Sequence, residues 1–383
     1  MLKELLWGTP EEIQADQRLR ELGKRNRLSA AQKAELPELN HLSRRLFLRR
    51  GGTVVAGAAV LASPIGAYVF THPEVFQSGD DRFFNEISQL PTNEQVKRID
   101  DYYSKNKLNV ETARVKVLPI WVKNYIENSG SSLTPEQVLP NIILFTNENR
   151  TPEQAQIQTG IYRSDARENY RGPIEINFST FESNKMHPSG TANPLMPGVV
   201  LLRTELTHEL THYDTIFRPS STLGKIINDY KVYDPPIEFA DRALIEGFFF
   251  VTLEPNNTAH TFFHNFNETA TDVIMSYILD RGGHPRVFGY EKAEALRQFL
   301  DWVGFPPDKF IKYYQNSDLE GAARELGEFS NRATSNITSS DEETIAKGLK
   351  VMKIFHTGQP PELEAFFPGT MRNIFEANPA PRG

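Results

Sequence analysis

Residues 201–214 read LLRTELTHELTHYD and contain His208-Glu209-Leu210-Thr211-His212, the pattern that limits the fold of this chain more than any other. Two histidines four positions apart serve one metal ion when their segment is helical. A helix sets them roughly 6 Å apart along its axis and about 40° apart around it, so both imidazoles face one cleft. Glu209, rotated by roughly 100° from His208, then falls just outside the first coordination shell, where a carboxylate can take a proton from a metal-activated water. The apolar run Val199-Val200-Leu201-Leu202 supplies what a buried helix needs. The pattern predicts a buried helix with metal ligands His208 and His212 and a general base, Glu209, as in a zinc hydrolase. A surface helix with two incidental histidines is the alternative.

The chain has no cysteine, so disulfides, thiolate metal sites and cysteine nucleophiles are excluded, and any metal must be held by His and carboxylate. With 383 residues, 39% of them hydrophobic, it can bury a substantial core. A net charge of -7, with no basic stripe interleaved with aromatics, argues against a nucleic-acid partner.

Two histidines leave a catalytic zinc site short of a ligand. The sequence predicts two helices beyond the motif, at about 237–253 and 258–280, and each offers a carboxylate. Asn267-Glu268-Thr269-Ala270-Thr271-Asp272 resembles the NExxSD signature of thermolysin-like enzymes and, more loosely, the ExxxD signature of other glutamate-liganded zincins. Glu268 would bind the metal, and Asp272, one turn later on the same face, would accept the outer N–H of a ligand histidine. Leu244-Ile245-Glu246-Gly247 resembles the third-ligand helix of collagenase-like zincins, with Phe249 where that pattern has Ala. Glu268 is the preferred third ligand, Glu246 the alternative, and an unrecognised residue elsewhere the third reading. His260, His264, Glu268 and Asp272 would form one helical row, with His264, His284 and Tyr290 as candidate oxyanion donors.

Residues 1–74 read as a leader. Ser43-Arg44-Arg45-Leu46-Phe47-Leu48-Arg49, before an uncharged run at 53–70, resembles a twin-arginine export signal, with Arg49 where lysine is usual. The resemblance implies recognition by the twin-arginine machinery and a periplasmic location, with the signal cleaved. A helix of that run spans roughly 27 Å, so a membrane tether on the outer side of the inner membrane is a second reading and a buried internal helix a third.

Residues 75–383 are expected to form one domain. In 75–198, apolar residues spaced by three and four predict helices over 80–128, with Thr92 and Gln95 as a capping box. Period-two patterns predict strands at 141–146, 158–163 and 173–179, the last as a substrate-pairing edge. Residues 182–198 would form a loop in which His187 has no assigned role. Residues 199–280 would carry the metal-binding helices, and 281–383 a helical C-terminal part, with Ser340 and Glu343 as a capping box.

The 197–280 segment resembles zincin-type metallopeptidases of the gluzincin class, with a longer interval between His212 and Glu268 than thermolysin-like enzymes have. The resemblance implies an α+β, mostly helical zincin-like fold and an exported zinc peptidase acting on a peptide or protein substrate. A zinc amidase acting on a non-peptide or cell-wall amide, and a catalytically silent envelope binding protein, are the alternatives.

Overall fold

The computed structural model describes residues 79–157, 159–165, 170–181, 196–233, 242–253, 259–284, 291–336, 339–357 and 360–369. The twin-arginine-like motif, the apolar run, the boundary at 74/75, His187 and Tyr290 lie outside them. From Phe83 onward the chain forms one compact unit.

Helices α1 (Gly79–Ile87), α2 (Thr92–Tyr103) and α3 (Leu118–Ser129) come first. Phe83 stacks on Tyr102, while Val96, Ile99, Trp121 and Val122 fill the space between the helices and the rest of the core. The expected capping box at Thr92 is not made. Pro91 takes the cap position, Thr92 becomes the first helical residue, and Gln95 turns back to donate to the Leu90 carbonyl at 2.7 Å.

A three-stranded sheet follows, of β1 (Ile142–Phe145), β2 (Gly160–Asp165) and β3 (Tyr170–Asn177), in the order β1-β3-β2. β3 runs parallel to β1 and antiparallel to β2. The expected edge strand is therefore the central one, paired on both sides. Its two faces explain why: Ile174 and Ile176 are buried in the core, and Glu175 and Asn177 opposite them are buried too, with Gln154 donating to Glu175 at 2.7 Å.

Helix α4 (Gly198–Tyr213) carries the HExxH motif and packs against β2, β3, α2 and α3. Its 16 residues are all buried except His208 and His212. Leu201, Leu202, Leu206 and Leu210 each contribute roughly 1.5–3 kcal/mol by leaving water. Several of the polar residues among them have partners. Thr204, Thr207 and Thr211 donate to carbonyls one turn back, and the Arg203 guanidinium is paired to Asp100 at 2.9 Å.

Beyond α4 the chain makes a second sheet where the sequence predicts helix. Strands β4 (Phe217–Pro219), β5 (Arg242–Glu246), β6 (Phe249–Leu253) and β7 (Ala259–Phe262) form an antiparallel meander in that order, with the short helix α5 (Leu223–Asp229) between β4 and β5. Glu246 pairs with Phe249, so Gly247 and Phe248 form a two-residue hairpin turn. Gly247 has φ +59° and Phe248 does not share the positive sign, the type II′ pattern with glycine first. That turn breaks the expected 237–253 helix.

Helix α6 (His264–Arg281) begins after β7, so His260 lies on a strand and leaves the expected row. Helices α7 (Glu291–Val303), α8 (Pro307–Gln315), α9 (Leu319–Ala333) and α10 (Asp341–Thr357) complete the C-terminal part. At α10, Ser340 accepts from the Glu343 N–H at 3.2 Å, while the Glu343 carboxylate pairs forward with Lys347. The protein is thus mostly helical with strand-containing sheets, an α+β arrangement. No helix among the described residues is long and apolar enough to cross a membrane.

Candidate metal centre

α4 and α6 bring three side chains to one point. His212 Nε2 lies 3.2 Å from His208 Nε2 and 3.3 Å from Glu268 Oε2, and His208 Nε2 is 3.5 Å from the same oxygen. Donors at zinc bond lengths of about 2.05 Å in a tetrahedron stand ~3.3 Å apart, so this spacing fits one ion held by all three. The His208, His212 and Glu268 group could hold a metal ion.

The outer ring nitrogens explain the orientation. His208 Nδ1–H donates to Asp272 Oδ1 at 2.9 Å, and Asp272 is almost fully buried one turn beyond Glu268. His212 Nδ1 lies 3.0 Å from the hydroxyl of Tyr314, a fully buried residue of α8. With both Nδ1 atoms engaged outward, two Nε2 lone pairs and a carboxylate oxygen converge. Three acceptors at this separation repel one another unless a cation, a proton or a metal, sits among them.

The protonation tendencies follow. At His208 burial opposes the charged ring, but the hydrogen bonds to Asp272 and Glu268 outweigh it and hold the imidazole well above its usual range. At Glu268 burial also opposes charge, and the two histidines overcome it, holding the carboxyl well below the carboxylate range.

Glu209 is buried beside His208. Burial raises its carboxyl to about 7, with His208 and His212 pulling down and Glu205 and Glu268 pushing up. The first residue of β2 leaves room for it: a Cβ on Gly160 would lie 2.9 Å from Glu205 Oε1 and 3.3 Å from Glu209 Cγ.

No protein family, curated protein or solved structure matches this chain.

Glu246 stands at the β5–β6 turn, accepts from Ser164 Oγ at 2.7 Å, and contributes no atom to the three-residue group. Burial raises its pKa, with Ser164, His212 and Arg171 acting against that shift. His264 is at the rim, largely exposed, with Nδ1 3.9 Å from Glu268 Oε1. His284 is buried near Arg203, whose charge adds to burial in disfavouring its protonation.

Tyr314 and Thr271 are absent from the sequence-based assignment. Thr271 sits in the NExxSD-like stretch, but its hydroxyl bonds Tyr314 at 2.6 Å rather than a ligand. Nothing in the spacing of Tyr314 marks it, because it reaches His212 across 102 positions through tertiary packing.

Proposed function

We propose that the protein is an exported zinc metallopeptidase of the zincin type, with His208, His212 and Glu268 as ligands and Glu209 as general base. The observation that carries this reading is the convergence of two imidazole lone pairs and a carboxylate at tetrahedral separation, with Glu209 next in the helix. The donor set fits zinc better than calcium or magnesium, which take oxygen ligands. The twin-arginine-like motif in the leader supports the exported location.

Zinc at such a site supplies Lewis acidity, polarising a carbonyl and lowering the pKa of water. The chain's own residues do the rest. A Glu209 oxygen accepts the proton of the attacking water and returns it to the leaving nitrogen. Burial raises the Glu209 carboxyl, the direction that favours return of the proton. Asp272 and Tyr314 hold the two imidazoles so that their Nε2 atoms face the same point.

The test is Glu209→Gln against wild type. The substitution should leave zinc content unchanged and reduce cleavage of a peptide library by roughly 10³-fold. Equal cleavage by both proteins would remove Glu209 from the reaction, and cleavage by neither would remove the peptidase reading.

A further inference from the structure

We infer that Tyr314 is a positioning residue that selects the metal-binding tautomer of His212, and that Thr271, which touches no ligand, sets the direction in which Tyr314 acts. The inference rests on the zinc reading above and deepens it.

Each hydrogen-bond direction in this chain of contacts fixes the next. Thr271 Oγ1 lies 2.8 Å from the Asn267 carbonyl, which can only accept, so the threonine proton is committed there. The contact of Thr271 Oγ1 with Tyr314 at 2.6 Å must then be donated by the phenol. Having given its one proton away, the Tyr314 oxygen can only accept from His212 Nδ1, 3.0 Å away. The His212 proton is thus fixed on Nδ1 and the lone pair on Nε2, the atom facing His208 and Glu268.

Asp272 imposes the same tautomer on His208 without help, because an ionised carboxylate only accepts. A tyrosine could donate or accept, and the threonine decides which. The surroundings fix the phenol in place. Tyr314 and Thr271 are fully buried, and the Phe248 ring packs edge-on against Tyr314. Gly247 presses on it closely enough that a Cβ there would lie 2.8 Å from Tyr314 Cζ.

Thr271→Val removes the acceptor. Tyr314 would then donate to His212 Nδ1, leaving the imidazole proton on Nε2, where it blocks coordination. Thr271→Ser keeps the acceptor, and Tyr314→Phe removes the phenol.

The experiment measures zinc affinity by chelator competition for wild type and the three variants, with ¹⁵N spectra of the metal-free proteins at alkaline pH to read the His212 tautomer. Wild type and Thr271→Ser should agree, with the proton on Nδ1. Thr271→Val and Tyr314→Phe should each lose roughly 10- to 100-fold in affinity, as outer partners of metal histidines do, and Thr271→Val should move the proton to Nε2. Variants within twofold of a zinc-binding wild type would overturn this inference alone. So would lost affinity with the proton still on Nδ1, a packing effect. If Thr271→Val does not fold, Tyr314→Phe decides by the same twofold criterion. A wild type that takes up no zinc overturns both this inference and the proposed function.

Discussion

At the scale of single residues, the chemistry depends on which carboxylate completes the pair of histidines. Glu268 lies within 3.5 Å of both Nε2 atoms, whereas Glu246 is held by Ser164 at the hairpin turn. Glu268→Ala should therefore lower zinc affinity by more than the roughly 10- to 100-fold typical of an outer partner, while Glu246→Ala should leave it within a few-fold. Chelator competition measures both, and the opposite ranking would overturn the assignment. On the zinc reading, the metal-free site also holds a proton that the ion would displace. His208 stays charged above its usual range because Asp272 and Glu268 outweigh burial. Zinc binding should release protons, and affinity should rise with pH until free His208 is neutral. Calorimetry in two buffers of different ionisation enthalpy reads this directly; no buffer dependence would contradict it.

At the scale of elements, the β5–β6 hairpin shows how tightly the site is assembled. Gly247 needs positive φ, and a Cβ there would lie 2.7 Å from Asn267 Oδ1 as well as close to Tyr314. Asn267 Oδ1 in turn accepts from the Phe248 N–H at 2.8 Å, and Ser317 Oγ accepts from Gly247 N–H at 2.8 Å. Gly247→Ala should cost about 2–3 kcal/mol, seen as a lower urea midpoint, and a change under about 0.5 kcal/mol would refute the fit. The same hairpin explains where sequence reading stopped. The HExxH helix is legible because an i, i+4 pair states its own geometry, and the contact of Asp272 with His208 is legible from the spacing of Glu268 and Asp272. Residues 237–253 are not, because Leu244-Ile245 and Phe249-Phe250-Val251 are apolar runs that suit a buried helix or strand equally. Only the demand of Gly247 for positive φ separates the two. The period-two pattern of β3 marks it as a strand, but its place between β1 and β2 depends on pairing that no local pattern encodes. Tyr314 was invisible for the same reason.

Across the whole molecule, α4 is a buried axis tied at both ends. Near its start Arg203 pairs with Asp100 of α2; at its end Asp214 accepts from Tyr125, Ser131 and Gln315, joining α3, α4 and α8. His284 packs near Arg203, and burial together with that guanidinium lowers its pKa to about 3. The folded state then binds fewer protons than the unfolded chain between about pH 3 and the ordinary 6.5. Its contribution is complete above pH 6.5 and is lost as pH falls towards 3. Asp100, raised mainly by burial, acts in the opposite sense at acid pH, so a variant is needed to isolate the histidine. His284→Leu should reduce the loss of stability between pH 7.5 and 5 by about 2 kcal/mol at most, less where solvent screens the ring, measured by urea unfolding at both pH values. An unchanged pH dependence would contradict this.

Metal analysis after equilibrium dialysis against zinc, comparing wild type with His212→Ala, decides whether these three side chains hold an ion. About one zinc per chain in wild type and little in the variant is the expected result. Equal zinc in both proteins, or none in wild type, would contradict it.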